Sequence, residues 1–156
     1  MKKIYTFLSV VTLSVFTLTA CSSDDNATTP EPQPTNHLLG KWDMRAMDMK
    51  LEMEGQVVID EKDVPTKDAG IIIQYDFKAD NKIEYYMYTP ATAQNEETEQ
   101  QGTGTYQKSG NMLTITIEDT PQTFDVLLLE QSKLHLNLTQ EDESTKISIT
   151  QKFVKM

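Results

Sequence analysis

The chain has 156 residues, with 14 Lys and Arg against 24 Asp and Glu, which gives a formal net charge of −10. This acidic balance argues against nucleic acid as a partner and against electrostatic binding to an anionic membrane surface. The only cysteine, Cys21, has no second thiol with which to form an intramolecular disulfide.

The first twenty residues have the features of a targeting segment. Two lysines precede an apolar run from Ile4 to Phe16, and the tetrapeptide Leu18-Thr19-Ala20-Cys21 follows it. This tetrapeptide resembles the lipobox of bacterial lipoproteins at all four positions, which implies cleavage before Cys21 and a diacylglycerol on its thiol. The apolar run is shorter than the ~20 residues of a membrane-spanning helix. We therefore predict a signal peptide over residues 1–20 and a permanent lipid anchor at Cys21.

Residues 21–36 are predicted to form the lipidated cysteine and a disordered tether. The stretch from Ser22 to Asn36 has no large apolar residue, and its three prolines alternate with polar residues. Such a composition cannot bury a core and stays extended. Ser22 stands where an aspartate would resemble an inner-membrane retention signal, and Ser23-Asp24-Asp25 resembles the acidic export signals of Bacteroidetes lipoproteins. We expect an outer-membrane lipoprotein at the cell surface of a Gram-negative bacterium.

Residues 37–156 are of single-domain size and show short apolar alternations separated by turn residues, a pattern typical of all-β proteins. Long polar loops are predicted at Asp60–Asp68 and Pro90–Gln101. The segments amount to about eight strands, which in chain order cover 38–53, 71–77, 83–89, 102–108, 112–118, 123–130, 133–138 and 147–153, with a further short segment at 56–59.

Most of the predicted turns are short, which favours neighbouring antiparallel strands in an up-and-down order. Eight such strands can close into a barrel with room for side chains or for one small ligand. The fold prediction is therefore an all-β, eight-stranded up-and-down antiparallel barrel. The alternative is a β-sandwich, which would need longer connections between its two sheets.

Several short phrases of this domain resemble a known family. Leu39-Gly40-Lys41-Trp42 resembles the Gly-x-Trp opening of lipocalins, and Gly104-Thr105-Tyr106 and residues 75–82, 109–113 and 149–153 resemble lipocalin-like domains of Bacteroidetes lipoproteins. The resemblance implies an eight-stranded calyx, without implying a particular ligand. It also implies an arginine on the final strand against the tryptophan, where this chain has only Lys146, Lys152 and Lys155.

Six residues are candidates for the site and its frame. Gly40 and Trp42 are predicted to be structural, with the Trp42 indole closing one barrel end and donating its N–H to a carbonyl. The candidate ligand-binding residues are Tyr75, Tyr85, Met87 and Tyr106, because tyrosines and methionines facing a cavity suit small apolar ligands. The alternative is that these tyrosines are ordinary strand residues and that the methionines fill the core.

The sequence contains no known motif of nucleophilic catalysis, phosphate binding or metal binding. His37 and His135 are far apart and have no neighbouring cysteine, and the acidic runs do not follow a calcium-loop pattern. We therefore predict no metal, no cofactor and no enzymatic activity. Two functions lead: a binder of a small hydrophobic or amphiphilic ligand, and a protein-interaction module, either an inhibitor or an accessory subunit of an outer-membrane complex. An enzyme of the barrel-isomerase or hydrolase kind is the third alternative. A binder should have a cavity lined by residues such as Tyr75 and Tyr85, and a module a filled interior with an exposed apolar patch.

Overall fold

A computed structural model describes residues 36–93 and 95–156 of the chain. The predicted signal peptide, the lipidation site Cys21 and the predicted tether as far as Thr35 lie outside the described residues. Over the two described ranges, no helix has the length and apolar character needed to cross a membrane.

The described part of the chain is built from nine β-strands connected by turns and short loops. In chain order they are β1 Gly40–Met53, β2 Gln56–Pro65, β3 Ile72–Phe77, β4 Lys82–Thr89, β5 Thr98–Ser109, β6 Met112–Ile117, β7 Thr120–Leu129, β8 Lys133–Glu141 and β9 Thr145–Lys155.

Eight of these strands close into a ring. Strands β3 to β9 follow one another as antiparallel neighbours, and β1 pairs with both β3 and β9. Strand β2 pairs with the second half of β1 and with no other strand of the described chain. The predicted eight-stranded up-and-down antiparallel barrel is confirmed, because short connections between neighbouring strands leave no second sheet to form a sandwich.

Strand β2 corrects the prediction of a polar loop at Asp60–Asp68, because pairing with β1 continues as far as Pro65. Two register irregularities lie in this pairing, and Asp63 within it has a positive φ of 52°. Most of β2 is exposed to solvent, so its sequence carries charges and lacks the apolar alternation of a half-buried strand. The second predicted loop is also shorter than expected, since β5 begins at Thr98.

The core lies inside one end of the ring, where aromatic side chains from several strands meet. Phe77 and Tyr106 make an edge-to-face contact with ring centroids 5.0 Å apart, and Tyr75 lies 5.4 Å from Phe153. Such contacts add to the free energy of burying large apolar area. The remaining buried apolar residues of this core include Leu38, Met44, Ile83, Leu113, Phe124, Leu134 and Leu136.

Candidate functional site: a calyx closed at one end

Trp42 closes one end of the barrel. Its side chain is 0% exposed, and its indole Nε1–H donates a hydrogen bond of 2.7 Å to the carbonyl oxygen of Leu38. Leu38 precedes β1 and is itself buried, so the chain entering the barrel covers the indole. The placement of Trp42 agrees with the predicted plug, in which a large ring is buried and its N–H is bonded to a carbonyl.

Lys155 lies over the outer side of this plug. It is the register partner of Trp42 on β9, and its Nζ is 4.9 Å from the indole ring centroid. The same Nζ donates to the carbonyl oxygen of His37 at 2.9 Å. Lysine therefore supplies the cation over the tryptophan that the family resemblance assigns to arginine. Gly40 makes room for it, because Gly40 has a φ of 109° and a Cβ there would lie 3.1 Å from Lys155 Cε.

The opposite half of the barrel interior holds a cavity of about 520 Å³. This volume falls in the range of pockets for small molecules. The deep part of its wall is apolar, and its rim is polar. The apolar lining comprises Met87, Ile115, Ile117 and Leu138, with Tyr75 beside them, and the rim comprises Glu118, Thr120, Pro121, Gln122, Thr123 and Gln140.

Tyr75 marks the boundary between the aromatic core and the cavity. Its ring packs against Phe77 and Phe153 and also lines the cavity. Burial raises the pKa of the Tyr75 hydroxyl well above its usual value, because the phenolate would be poorly solvated there. Among the residues that the structure describes, no hydrogen-bond partner of this hydroxyl is found. The hydroxyl therefore stays protonated.

The four candidate ligand-binding residues do not all meet at the cavity. Tyr75 and Met87 line it together. Tyr85 is buried on the same inner face, and its ring lies over Gly102, where an added Cβ would come within 3.1 Å of the Tyr85 hydroxyl oxygen. Tyr106 lies in the aromatic core, and its hydroxyl donates to the carbonyl oxygen of Lys78 at 2.7 Å. The structure therefore brings two of the four to the cavity and places Tyr106 away from it.

Sequence reasoning missed three residues of the cavity wall: Ile115, Ile117 and Leu138. Their alternation correctly indicated that they face inward, as they do. Nothing in that pattern separates an inward residue that lines a cavity from one that fills the core, because both look alike in sequence.

A second depression, of about 420 Å³, lies on the outer face of β1, β3, β4 and β5. Its lining includes polar residues at outward-facing positions, such as Lys41, Gln74 and Glu84, together with the inward-facing Trp42, Tyr75 and Tyr85. We assign the ligand site to the 520 Å³ cavity, because it is the larger of the two and the inward-facing apolar side chains of Met87, Ile117 and Leu138 line it.

Three charged groups tie β1, β2 and β9 together on the outside of the barrel. The Lys152 Nζ lies 2.7 Å from Asp48 Oδ1 and 2.6 Å from Asp63 Oδ1. Asp48 Oδ1 also accepts a hydrogen bond of 2.8 Å from the backbone N–H of Asp63. Burial acts to raise the pKa of Asp48, but the bonds from Asp63 and Lys152 outweigh it and hold that pKa below its ordinary value. Bonds to the same two carboxylates raise the pKa of Lys152.

These shifts predict how the network contributes to stability as pH changes. The contribution of Asp48 should be complete above its ordinary pKa of 3.8 and be lost as pH falls through the lower folded value. That of Lys152 should be complete below 10.5 and be lost as pH rises through the higher folded value. We expect Asp48→Asn to lower the urea midpoint at pH 7 and to change it little near pH 2. An equal loss at both pH values would contradict this assignment.

Among residues 36–93 and 95–156, no group of three or more His, Cys, Asp and Glu side chains is placed to hold a metal ion. Several acidic residues of the described chain are in ion pairs, such as Asp60 with Lys62 and Asp80 with Lys82, and others lie in turns. Asp142, for example, accepts bonds from the backbone N–H groups of Ser144 and Thr145 in the β8–β9 turn.

Comparison with known proteins agrees with the barrel fold. The lipocalin-like domain family model matches residues 38–136. A solved lipocalin-like protein from Bacteroides uniformis is similar at 20% identity, over 77% of this chain and 99% of that chain, with a TM-score of 0.41. Bovine odorant-binding protein, solved in complex with a selenium-containing odorant, is similar at 17% identity, over 81% of this chain and 76% of that chain, with a TM-score of 0.47. No curated protein matches the chain. Because the family match covers more than half of its length, this chain belongs to the lipocalin-like domain family.

Proposed function

We propose that this protein is a non-enzymatic binder of a small hydrophobic or amphiphilic molecule, held in the barrel interior. The observation that carries the proposal is the cavity of about 520 Å³ with an apolar wall and a polar rim. Small-ligand sites combine an apolar lining with a few polar groups that fix orientation. A protein-interaction module is less well supported, because such a module was expected to have a filled interior, whereas this barrel holds a cavity.

We also propose that the barrel is held at the outer membrane by lipid on Cys21 and faces the cell surface. The support is in the sequence: the lipobox-like Leu18-Thr19-Ala20-Cys21, the absence of an aspartate at position 22, and the acidic run Ser23-Asp24-Asp25. A binder placed there would meet apolar molecules before they cross the outer membrane.

Blocking the cavity tests the binding function. We expect Leu138→Trp to weaken binding of the neutral fluorophore N-phenylnaphthylamine at least about tenfold, because the added ring fills space next to Ile117 and Tyr75. The matched control is Leu127→Trp, since Leu127 is 60% exposed. Binding is measured by fluorescence titration of the full chain, held in solution by an amphipathic polymer too large to enter the cavity. Equal affinity of both variants would contradict an interior site.

Lipid anchoring has its own test. We expect Cys21→Ala to release the protein from membranes, because a three-chain anchor contributes about 0.8 kcal/mol per buried CH₂ and no other anchor is predicted. Metabolic labelling with a fatty acid and membrane fractionation report the result, with Ser22→Ala as the control. Labelling of Cys21→Ala at the wild-type level would rule out this thiol as the lipidation site.

A further inference from the structure

We propose that the ligand is a single-chain amphiphile too long for the cavity alone, whose hydrocarbon chain runs out of the cavity along an apolar surface on β9 and β1. This inference rests on the proposed interior binding site and names the chemical class of its ligand. The observation that carries it is the continuation of the apolar cavity wall past the cavity, onto residues that stay partly exposed in the described chain.

Strand register carries the cavity wall from β8 onto β9 and β1. Leu138, which lines the cavity, is the register partner of Ile149 on β9, and Ile149 is the partner of Met49 on β1. Register partners project from the same face of a sheet, with Cβ atoms about 4.5–5.5 Å apart. The inward face at Leu138 therefore continues over both neighbouring strands.

A second row runs parallel to the first, two residues farther from the closed end. Gln140 at the cavity rim is the register partner of Ile147, which is opposite Leu51. The two rows together form a patch, here called the β9–β1 surface, of four residues: Met49, Leu51, Ile147 and Ile149. Continued to Thr145 on β9, this face is about 14 Å long at about 3.4 Å per residue.

The β9–β1 surface is not covered by the described chain. None of its four residues belongs to the buried core or packs against it. Ile147 is 36% exposed, and the other three are half-buried. Strand β2 pairs with this part of β1 but not with β3, so the barrel wall does not close beside the surface.

The other face of the same strands is charged. Lys50 pairs with Glu52 on β1, and Lys146 on β9 pairs with Glu141 on β8. A sheet with charges on one face and apolar side chains on the other gains free energy when the apolar face is covered. The β9–β1 surface is therefore suited to an apolar occupant.

The charges at the far end of the surface favour a hydrocarbon chain as that occupant. The surface ends at two turns that carry Glu54, Asp142 and Glu143, and the Glu54 N–H donates to the Ser144 carbonyl at 2.7 Å, which holds the turns together. These carboxylates repel an anionic membrane surface, and a second copy would bring the same carboxylates with it. An alkyl chain carries no charge, and the flexible Met49 side chain can adapt to it.

Chain length tests the proposal. Decylphosphocholine and hexadecylphosphocholine share a head group and differ by six methylenes. Each displaces N-phenylnaphthylamine from the full chain, held in the same amphipathic polymer, at ligand concentrations below those that form micelles. A fully buried CH₂ raises affinity about fourfold, so six partly covered methylenes should make the hexadecyl ligand bind at least about tenfold tighter.

Variants locate the added affinity. In the double variant Leu51→Gln/Ile147→Gln, the affinity ratio of the two ligands should fall to within about threefold, while the decyl ligand binds as in the wild type. The control is Leu127→Gln on β7, which is 60% exposed and should leave the ratio unchanged. Where the double variant melts early, Ile147→Gln alone serves. A ratio near one in the wild type, or an undiminished ratio in the variant, overturns the proposal.

A second copy of the chain as the occupant is tested by chemical cross-linking without ligand. We expect no cross-linked dimer that depends on the β9–β1 surface. A wild-type dimer that is lost in Leu51→Gln/Ile147→Gln would show that another copy covers this surface, and would overturn the proposal.

The two levels of the proposal fail separately. If Leu138→Trp leaves N-phenylnaphthylamine binding intact, the interior site itself is wrong. If Leu138→Trp blocks that probe but the double variant keeps the wild-type ratio, the interior site stands and the path of the long chain over β9 and β1 is wrong.

Discussion

Replacing Trp42 with alanine is expected to cost about 3–5 kcal/mol of unfolding free energy, as for other fully buried aromatic residues. The side chain is 0% exposed, and the change also leaves the Leu38 carbonyl without its indole donor and Lys155 without its ring. Because a domain of this size has only about 5–15 kcal/mol in total, the variant should be close to unfolding at growth temperature.

Urea unfolding followed by circular dichroism measures this loss, with Trp42→Phe beside Trp42→Ala. The phenylalanine variant should recover part of the stability, since it restores buried area but not the 2.7 Å hydrogen bond to Leu38. If Trp42→Ala unfolds at the wild-type urea concentration, with an unchanged dependence of the unfolding free energy on urea, the ring is not a closing element of the barrel.

Gly104→Ala should be nearly as damaging, with a loss of about 3 kcal/mol, at the upper end of the usual cost of overpacking. Gly104 lies on β5, and a Cβ there would come within 2.3 Å of the backbone carbonyl oxygen of Thr116 on β6. Neither strand can yield without breaking the β5–β6 pairing, because the clashing atom belongs to the backbone. Thermal unfolding of the full chain reports the loss.

Gly102→Ala is the matched control for this clash. It lies two residues earlier on the same strand, and the nearest atoms to its added Cβ would all belong to the Tyr85 side chain, the first at 3.1 Å. A side-chain ring can turn away, so Gly102→Ala should lose less stability than Gly104→Ala. Similar losses for both would show that the cost arises from the strand backbone in general, and would contradict a specific clash with Thr116.

The sequence alone determined the class of fold and the burial of Trp42. Alternation with a period of two is a direct consequence of strand geometry, so the inward residues could be read without a structure. The burial of Trp42 was also predictable, because a large ring beside Gly40 at the start of the first strand has to be buried. The full length of strand β2 was not predicted, because an exposed edge strand has no buried face to produce an apolar alternation.

Only the tertiary structure decided how deep each inward residue lies. Alternation gives the face of a side chain, whereas its depth depends on how the ring closes through β1 and β9. That closure puts Tyr106 into the packed core and Leu138 beside the cavity, although both alternate inward in sequence. It also pairs Lys155 with Trp42 across 113 positions of the chain, and it leaves the Gln151 Oε1 buried without a hydrogen-bond partner among the described residues. Such contacts arise from long-range pairing, which a local pattern of residues does not encode.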